Sequence, residues 1–306
     1  MNDFIRDFQS HLADRDCAER TLRGYLSDLL QFADWFEQVN GEALRPERIT
    51  PSDVKRYKDF LLNKQRRAAS TINRRLAALS AFAKWAQQAG LIHSDPTVYV
   101  KSVKQVRRAP KWLNKSEQFA LQRAIEKDLQ VSRLRYPKRF TTRRRDASIA
   151  LFLLNTGLRV GELIAMCLGD VQLSDRKGNV RVQNGKGRKQ RQVPLNAEAR
   201  AAIQEWLAVR PETDSDQVWV GVEGQSEGLS ARSVQRILER YATQAGLETL
   251  TPHTCRHTVA KNLLDSGIGL EKVAALLGHE SISTTMIYVT PSAHDLEQAV
   301  GALEKC

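Results

Sequence analysis

The chain has 306 residues, 42% hydrophobic and 27% charged, room at roughly 150 residues per domain for about two domains with full cores. No apolar run approaches the roughly 18–20 residues of a membrane span, the opening Met1-Asn2-Asp3-Phe4-Ile5-Arg6-Asp7 lacks the apolar segment of a secretory signal, and cysteines at 17, 167, 255 and 306 form no CxxC pair and no disulfide framework. The expectation is a reduced, cytoplasmic, metal-free protein with no membrane partner, and its 47 Lys+Arg against 35 Asp+Glu, a net charge of +12, suit a polyanion.

The positive excess is shared, residues 1–110 and 111–306 each carrying +6. Residues 1–95 read as helical throughout. Leu22, Tyr25, Leu26, Leu29, Leu30, Ala33 and Phe36 recur at intervals of three and four, one apolar stripe. Thr50-Pro51-Ser52-Asp53 is a helix start, followed by Val54, Tyr57, Phe60 and Leu61. A third stripe, Ile72, Leu76, Leu79, Phe82, Ala83 and Ala86, stops at Gly90. Lys64, Arg66 and Arg67 precede it, and Arg74 and Arg75 fall on its polar face. The expectation is a small helical bundle with one basic, DNA-binding edge.

Residues 96–112 read as a linker. Pro96 and Pro110 bracket it, and it holds Lys101, Lys104, Arg107, Arg108 and Lys111 but no acid. It is either a strap along a phosphate backbone or a plain solvated connection. Helical periodicity returns over 116 to about 129 and over 147–154. The alternating 179–183 and 190–195 flank Gly185-Lys186-Gly187-Arg188-Lys189 as a hairpin, and 217–220 reads as a third strand. From Ser230 onward the pattern is helical again. Between Arg133 and Arg145 lie seven bases and no acid, a charged loop or a phosphate-gripping arm carrying Arg143, Arg144 and Arg145.

Four segments of the second portion can carry chemistry. In Asn155-Thr156-Gly157-Leu158-Arg159-Val160-Gly161-Glu162-Leu163 an arginine follows a glycine turn and opens a helix, where its fork and the free N–H groups can meet an anion. Lys186 at the hairpin tip is a mobile point charge or proton donor, or an ordinary basic turn. In Thr251-Pro252-His253-Thr254-Cys255-Arg256-His257-Thr258, His253 and Arg256 share a helix face. His257, four residues after His253, anchors that helix from its buried side; a zinc site lacks a third ligand. Cys255 reads as a small core residue. The last segment runs from Leu276-Leu277-Gly278-His279 to Tyr288. A phenol with pKa near 10 attacks phosphorus only among cationic donors. Arg159, Lys186, His253, Arg256 and His279 would together supply them.

In order and wording these segments resemble the tyrosine recombinase (phage integrase) family, most closely its Xer-like and transposon-resolvase branch. The signature spans about 130 residues, Thr156 to Tyr288: T-G-x-R-x-x-E-L, the G-K-G hairpin, P-H-x-x-R-H, and L-G-H followed nine residues on by Tyr. The resemblance implies a mainly α fold with a small antiparallel β-sheet. A SAM-like helical core-binding domain (1–95) and a basic linker (96–112) would precede an α+β catalytic domain of the DNA breaking–rejoining type (113–306).

It also implies roles. Tyr288 would be the nucleophile, forming a 3′-phosphotyrosyl link. Arg159 and Arg256 would hold the non-bridging phosphate oxygens, Lys186 would protonate the departing 5′-oxygen, His253 would exchange the phenolic proton, and His279 would donate to the phosphate. Glu162, Asp170 and His257 would support the site. No cofactor is implied. The partners would be duplex DNA at a recombination site and three further copies of the chain on synapsed DNA, the free protein being a monomer or weak dimer, with a related recombinase or accessory protein as a further partner. Two departures from the family pattern stand out: the basic segment around 130–146 is long, and Cys255 replaces a commoner aliphatic residue. The alternatives are type IB topoisomerase-like relaxation and a non-catalytic DNA-binding architectural protein.

Overall fold

The computed structural model describes residues 3–15, 19–105, 110–183, 190–222, 228–279, 281, 283–286 and 288. They form two compact units, Met1–Arg108 and Ala109–Cys306.

The first unit is a four-helix assembly: α1 (Asp3–Asp14), α2 (Glu19–Asn40), α3 (Pro51–Asp59), which continues into a π-helical turn at Phe60–Lys64, and α4 (Ala69–Gln88). The α3 start is a reciprocal cap. Asp53 N–H donates to Thr50 Oγ1 at 3.2 Å while Thr50 N–H donates to Asp53 Oδ2 at 3.0 Å, which satisfies two otherwise orphaned donors. Aromatic rings fill the core. Phe8 meets Phe82 edge-on at 5.3 Å, and Phe32 meets Tyr57 edge-on at 5.0 Å.

One residue of the expected basic edge is misassigned. Arg75 is buried, bonds Gln31 and Tyr57, and lies against Asp28, itself 1% exposed. Enclosed at 6% exposure, with its nearest Asp28 oxygen at 3.9 Å, this arginine braces the packed helices instead of facing nucleic acid. Arg74 also pairs with Asp28, but its side chain is 52% exposed. Lys64, Arg66 and Arg67 are exposed, and Arg66 is held in the left-handed region at φ +47°. Beyond α4 the chain stays on this unit. Val100 and Val103 pack on its core, and Asn73 clamps Val103 through bonds of 2.9 and 2.7 Å. Lys101 and Lys104 are exposed; Arg107 and Arg108 lie outside the described residues.

The second unit begins with α5 (Lys115–Arg135), α6 (Phe140–Thr156) and α7 (Val160–Ile164). A three-stranded antiparallel sheet follows, β1 (Val171–Leu173), β2 (Gly178–Gln183) and β3 (Gln190–Pro194), in that spatial order. Then come α8 (Ala197–Leu207), α9 (Ala231–Ala245), α10 (Pro252–Asp265), α11 (Leu270–Leu277) and the short α12 (Ser283–Met286). Val180 pairs with both Val171 and Val193, and Val182 with Arg191, so this face of β2 and β3 looks inward. At the centre of the unit Asp146–Ala150, Phe152 and Leu153 of α6 are all buried, the signature of a helix surrounded on every side.

Two expectations are corrected here. The basic run 133–145 is not a loop, because it forms the end of α5, a short turn at Pro137–Arg139 and the start of α6. Arg143 pairs with Asp128 at 3.9 Å and Arg144 with Glu205. Arg145, 9% exposed, donates to Asp146 at 2.8 and 3.0 Å and to the Val220 carbonyl at 3.1 Å, so it is a core ion pair and not a DNA-facing residue. The third strand is β1, not 217–220, which makes only the isolated bridges Cys167–Gln217 and Val220–Gly228. Among the described residues no helix is long and apolar enough to cross a membrane.

Candidate active site

Two helix ends build the site. At the C-terminus of α6, Gly157 adopts φ +63°, the left-handed cap that glycine takes without steric cost. Arg159 follows in extended conformation just ahead of α7. Glu162, in the first turn, accepts from the Arg159 backbone N–H at 2.8 Å and from Arg159 Nη1 at 2.8 Å. The T-G-x-R-x-x-E box is thus one local device: a stop, an arginine and a carboxylate that reaches back to it. At the C-terminus of α11, Gly278 adopts φ +70°.

The carbonyls of the two ends hold two arginines. Arg159 Nη2 donates to the Gly278 carbonyl at 2.6 Å. Arg256, on α10, donates to the Gly157 carbonyl at 2.9 Å and to the Leu277 carbonyl at 2.7 Å. Helix C-termini leave carbonyls unpaired and partly negative, so both guanidinium groups rest where cations are favoured. The ends also touch: a Cβ on Gly157 would sit 2.7 Å from Leu277 Cδ2. Arg159 keeps its side chain 40% exposed while Arg256 is 4% exposed. Burial, and then Arg159, bring the Arg256 guanidinium down to about 10, which leaves it charged at neutral pH. Each Nη retains a further N–H for a ligand.

The α10 motif is set by Thr251, whose hydroxyl accepts from Thr254 N–H at 3.0 Å, with Pro252 in the first turn. Cys255 is fully buried and its thiol is pushed up to about 12 by burial, so it has no nucleophilic character. His257 turns its Nδ1 to the Tyr288 hydroxyl, and the two ring centres are 5.3 Å apart. His253 is exposed on the outer side of this pair, its ring 6.3 Å from that of His257. The histidine that meets the phenol in this structure is therefore His257. Tyr288 is 4% exposed against Val259, Ala260, Val273 and Leu277. Burial raises its phenol above the usual value, and Arg256 opposes that rise.

His279 follows the Gly278 cap, with Nδ1 2.6 Å from Thr285 Oγ1. Burial brings His257 down to about 4, with His253 and Arg256 adding to it; burial likewise brings His279 to about 4, with Arg256 and Arg159 adding. Both rings are neutral at pH 7. Glu162 is held below the ordinary carboxylate value: burial alone would raise it, but the bonds from Arg191 and Arg159 prevail.

The structure thus brings Arg159, Glu162, Arg256, His257, His279 and Tyr288 into one region. Asp170 lies elsewhere; it accepts from Cys167 N–H at 3.1 Å and Arg181 Nε at 3.2 Å, bracing β2, the strand that leads into the hairpin. Lys186 lies outside the described residues. Two residues escaped the motifs. Arg191, on β3, grips Glu162 with both Nη groups at 2.8 and 2.9 Å; its signal was a charge at an inward-facing strand position. Thr285, fully buried beside His279, had no signal among the neighbouring hydroxyl residues.

Known proteins resemble the chain over almost its whole length. A model described as the phage integrase family matches residues 123–294, and one described as the phage integrase N-terminal SAM-like domain matches residues 5–90. Tyrosine recombinase XerC of Corynebacterium glutamicum is 36% identical over 306 residues, covering 98% of this chain and 91% of that protein. Tyrosine recombinase XerD of Ralstonia nicotianae is 35% identical over 280 residues, covering 89% and 83%. In fold the chain is similar to the XerH site-specific recombinase solved as a post-cleavage complex with a palindromic difH substrate, with a TM-score of 0.73 at 21% identity over 97% of this chain and 85% of that one. Matched by the phage integrase model over residues 123–294 and 36% identical to XerC over 98% of its length, the chain belongs to the phage integrase family and is a tyrosine-type site-specific DNA recombinase.

Proposed function

We propose that Tyr288 is the nucleophile and that Arg159, Arg256 and His279 bind the scissile phosphate. In the cleavage step a bond forms between Tyr288 Oη and phosphorus while the bond from phosphorus to the 5′-oxygen breaks. The products are a 3′-phosphotyrosyl link and a free 5′-hydroxyl. Attack by the 5′-hydroxyl of a second strand reverses the exchange and rejoins DNA. One phosphorus–oxygen bond replaces another, so the cycle balances without a co-substrate.

The observation that carries this reading is the pair of arginines seated on the consecutive carbonyls of Leu277 and Gly278, beside the phenol. Charge builds on phosphoryl oxygens in the transition state, and preorganised donors answer it; losing one typically costs ~10²–10³ in rate. With its Nδ1 edge held by the Thr285 hydroxyl, neutral His279 offers Nε2 as its donor to phosphate in this reading. The phenolic proton passes to the His253–His257 pair, and Lys186 supplies the proton to the departing 5′-oxygen. Asp170 acts at one remove, by bracing β2.

Duplex DNA at a recombination site is the substrate in this reading, in the cytoplasm, gripped by the 1–95 bundle, the 96–112 linker and the 113–306 catalytic domain. The exposed Lys64, Arg66, Arg67, Arg74, Lys101 and Lys104 support the grip, as does the DNA carried by XerH. Four protomers act on two synapsed sites through a Holliday junction, for integration, excision or resolution, with a related recombinase or accessory protein as a further partner.

The test is a nicked suicide duplex, from which the short 5′-hydroxyl fragment diffuses away. The wild-type chain is expected to become covalently joined to DNA, and Tyr288→Phe to bind DNA without forming the adduct. An adduct retained by Tyr288→Phe would refute the assignment.

A further inference from the structure

Arg191 belongs to none of the four motifs, yet every one of its side-chain nitrogens is committed inside the site. Nη1 and Nη2 grip the two oxygens of Glu162 at 2.8 and 2.9 Å, and Nε donates to the Leu276 carbonyl at 3.1 Å. Its guanidinium lies flat against Gly278: a Cβ there would come within 2.7 Å of Nη1, 2.8 Å of Cζ and 3.0 Å of Nε. Its side chain is 13% exposed, against 40% for Arg159.

An arginine on the inward face of a strand, opposite the buried Val182, carries a large desolvation cost unless its charge is answered. Glu162 answers it in the bidentate geometry that only a planar fork provides. Four donors converge on that one carboxylate: two from Arg191 and two from Arg159. On its other edge Arg191 holds Leu276, whose two successors lend their carbonyls to Arg256 and Arg159.

We propose that Arg191 is a positioning residue for DNA cleavage, which fixes Arg159 through Glu162 and sets the end of α11 on which both phosphate-binding arginines rest. The proposal rests on the reading of Arg159 and Arg256 as phosphate ligands. Arg191 stands one residue after the start of β3, directly beyond the segment 184–189 that carries Lys186, so the same fork ties the hairpin base to the arginine pair. Its bonds run to Glu162 and the Leu276 carbonyl. Its contribution is geometric, and a displacement of about 1 Å in such a constellation can cost ~10²-fold in rate.

The experiment measures two quantities on the full chain: the affinity for an intact duplex site, and the single-turnover rate of adduct formation on the nicked suicide duplex at saturating protein. Arg191→Gln and Arg191→Lys are expected to leave the Kd unchanged and to slow the saturated rate ~10²-fold, because a lysine restores the charge but not the fork. Arg191→Gln combined with Glu162→Gln is expected to be no slower than the slower single variant, since both break one connection. If Arg191→Gln does not fold, Arg191→Lys carries the same comparison. A wild-type saturated rate in these variants, a loss confined to Kd, or fully additive effects in the double variant would each overturn the proposal. Absence of any wild-type adduct would instead overturn the underlying reading, and this one with it.

Discussion

At the scale of single residues, the two histidines in contact with hydroxyl groups show how environment selects a proton inventory. His279 is brought to about 4 by burial, then by Arg256 and Arg159, so at pH 7 its ring carries a single N–H. The bond to Thr285 Oγ1 at 2.6 Å holds the Nδ1 edge of the ring and so fixes the ring's orientation. Thr285→Val keeps the shape and removes only the hydroxyl. It is expected to slow adduct formation roughly 3–10-fold, the worth of one hydrogen bond, with the duplex Kd unchanged; an unaltered saturated rate would count against the orienting role. His279 was legible because L-G-H places it directly after a helix stop. Thr285 was not, because Ser281, Ser283 and Thr284 offer the same chemistry within four residues, and only the packed turn distinguishes them.

At the scale of elements, α6 ties the second unit together. Asp146, 2% exposed, accepts from Arg145 at 2.8 and 3.0 Å and from Arg240 of α9 at 2.8 Å. Removing the acid would take the carboxylate from buried Arg145 and leave half-buried Arg240, among the described residues, no carboxylate nearer than Asp128 at 3.9 Å. Asp146→Ala is therefore expected to lower stability by about 3–5 kcal/mol, read as a fall in the urea midpoint; a midpoint within error of wild type would contradict it. These pairings also explain what sequence reading missed. The basic run looked like a loop because its acidic partners are scattered: Asp128 lies before it, Glu205 far beyond it, and Asp146 just past its end. Likewise Val171–Leu173 is too short to show alternation, while the apolar 217–220 mimics a strand and is core filler, with Trp219 stacked 6.4 Å from Trp206. The amphipathic helices and the β2–β3 hairpin were legible because their periods are long enough to repeat. Arg75 was misread for a simpler reason: helical position shows which way a side chain leaves the helix, not what waits there, and Asp28 was waiting.

At the scale of the whole molecule, the half-buried histidines His257 and His279 couple fold to acidity. His257 and His279 are both near 4 in the folded chain, against about 6.5 when unfolded. Between those values the unfolded chain binds protons that the folded chain refuses, so stability falls as pH drops from about 6.5 to 4 and this contribution levels off below that. Glu162, held below its ordinary value, adds an acid loss of the same sign at still lower pH. The urea midpoint is expected to decline steadily from pH 7 to pH 4, and a flat profile would mean the two rings are not shielded as described. The two-unit organisation was readable from length and from the helical first portion, but the second unit's centre was not, since it depends on pairs formed across most of the chain.

Arg159 and Arg256 both hang from main-chain oxygens at 157, 277 and 278, and every amino acid brings such an oxygen with it. Exchanging the side chains at those positions cannot delete the acceptors. What can be lost is the location of the helix terminus: a single inserted or deleted residue in α6 or α11 would swing the oxygens aside. The letters at 157 and 278 are held to glycine by the left-handed turns and by the neighbours a Cβ would meet, so the chain constrains both those two residues and the spacing between the anchors.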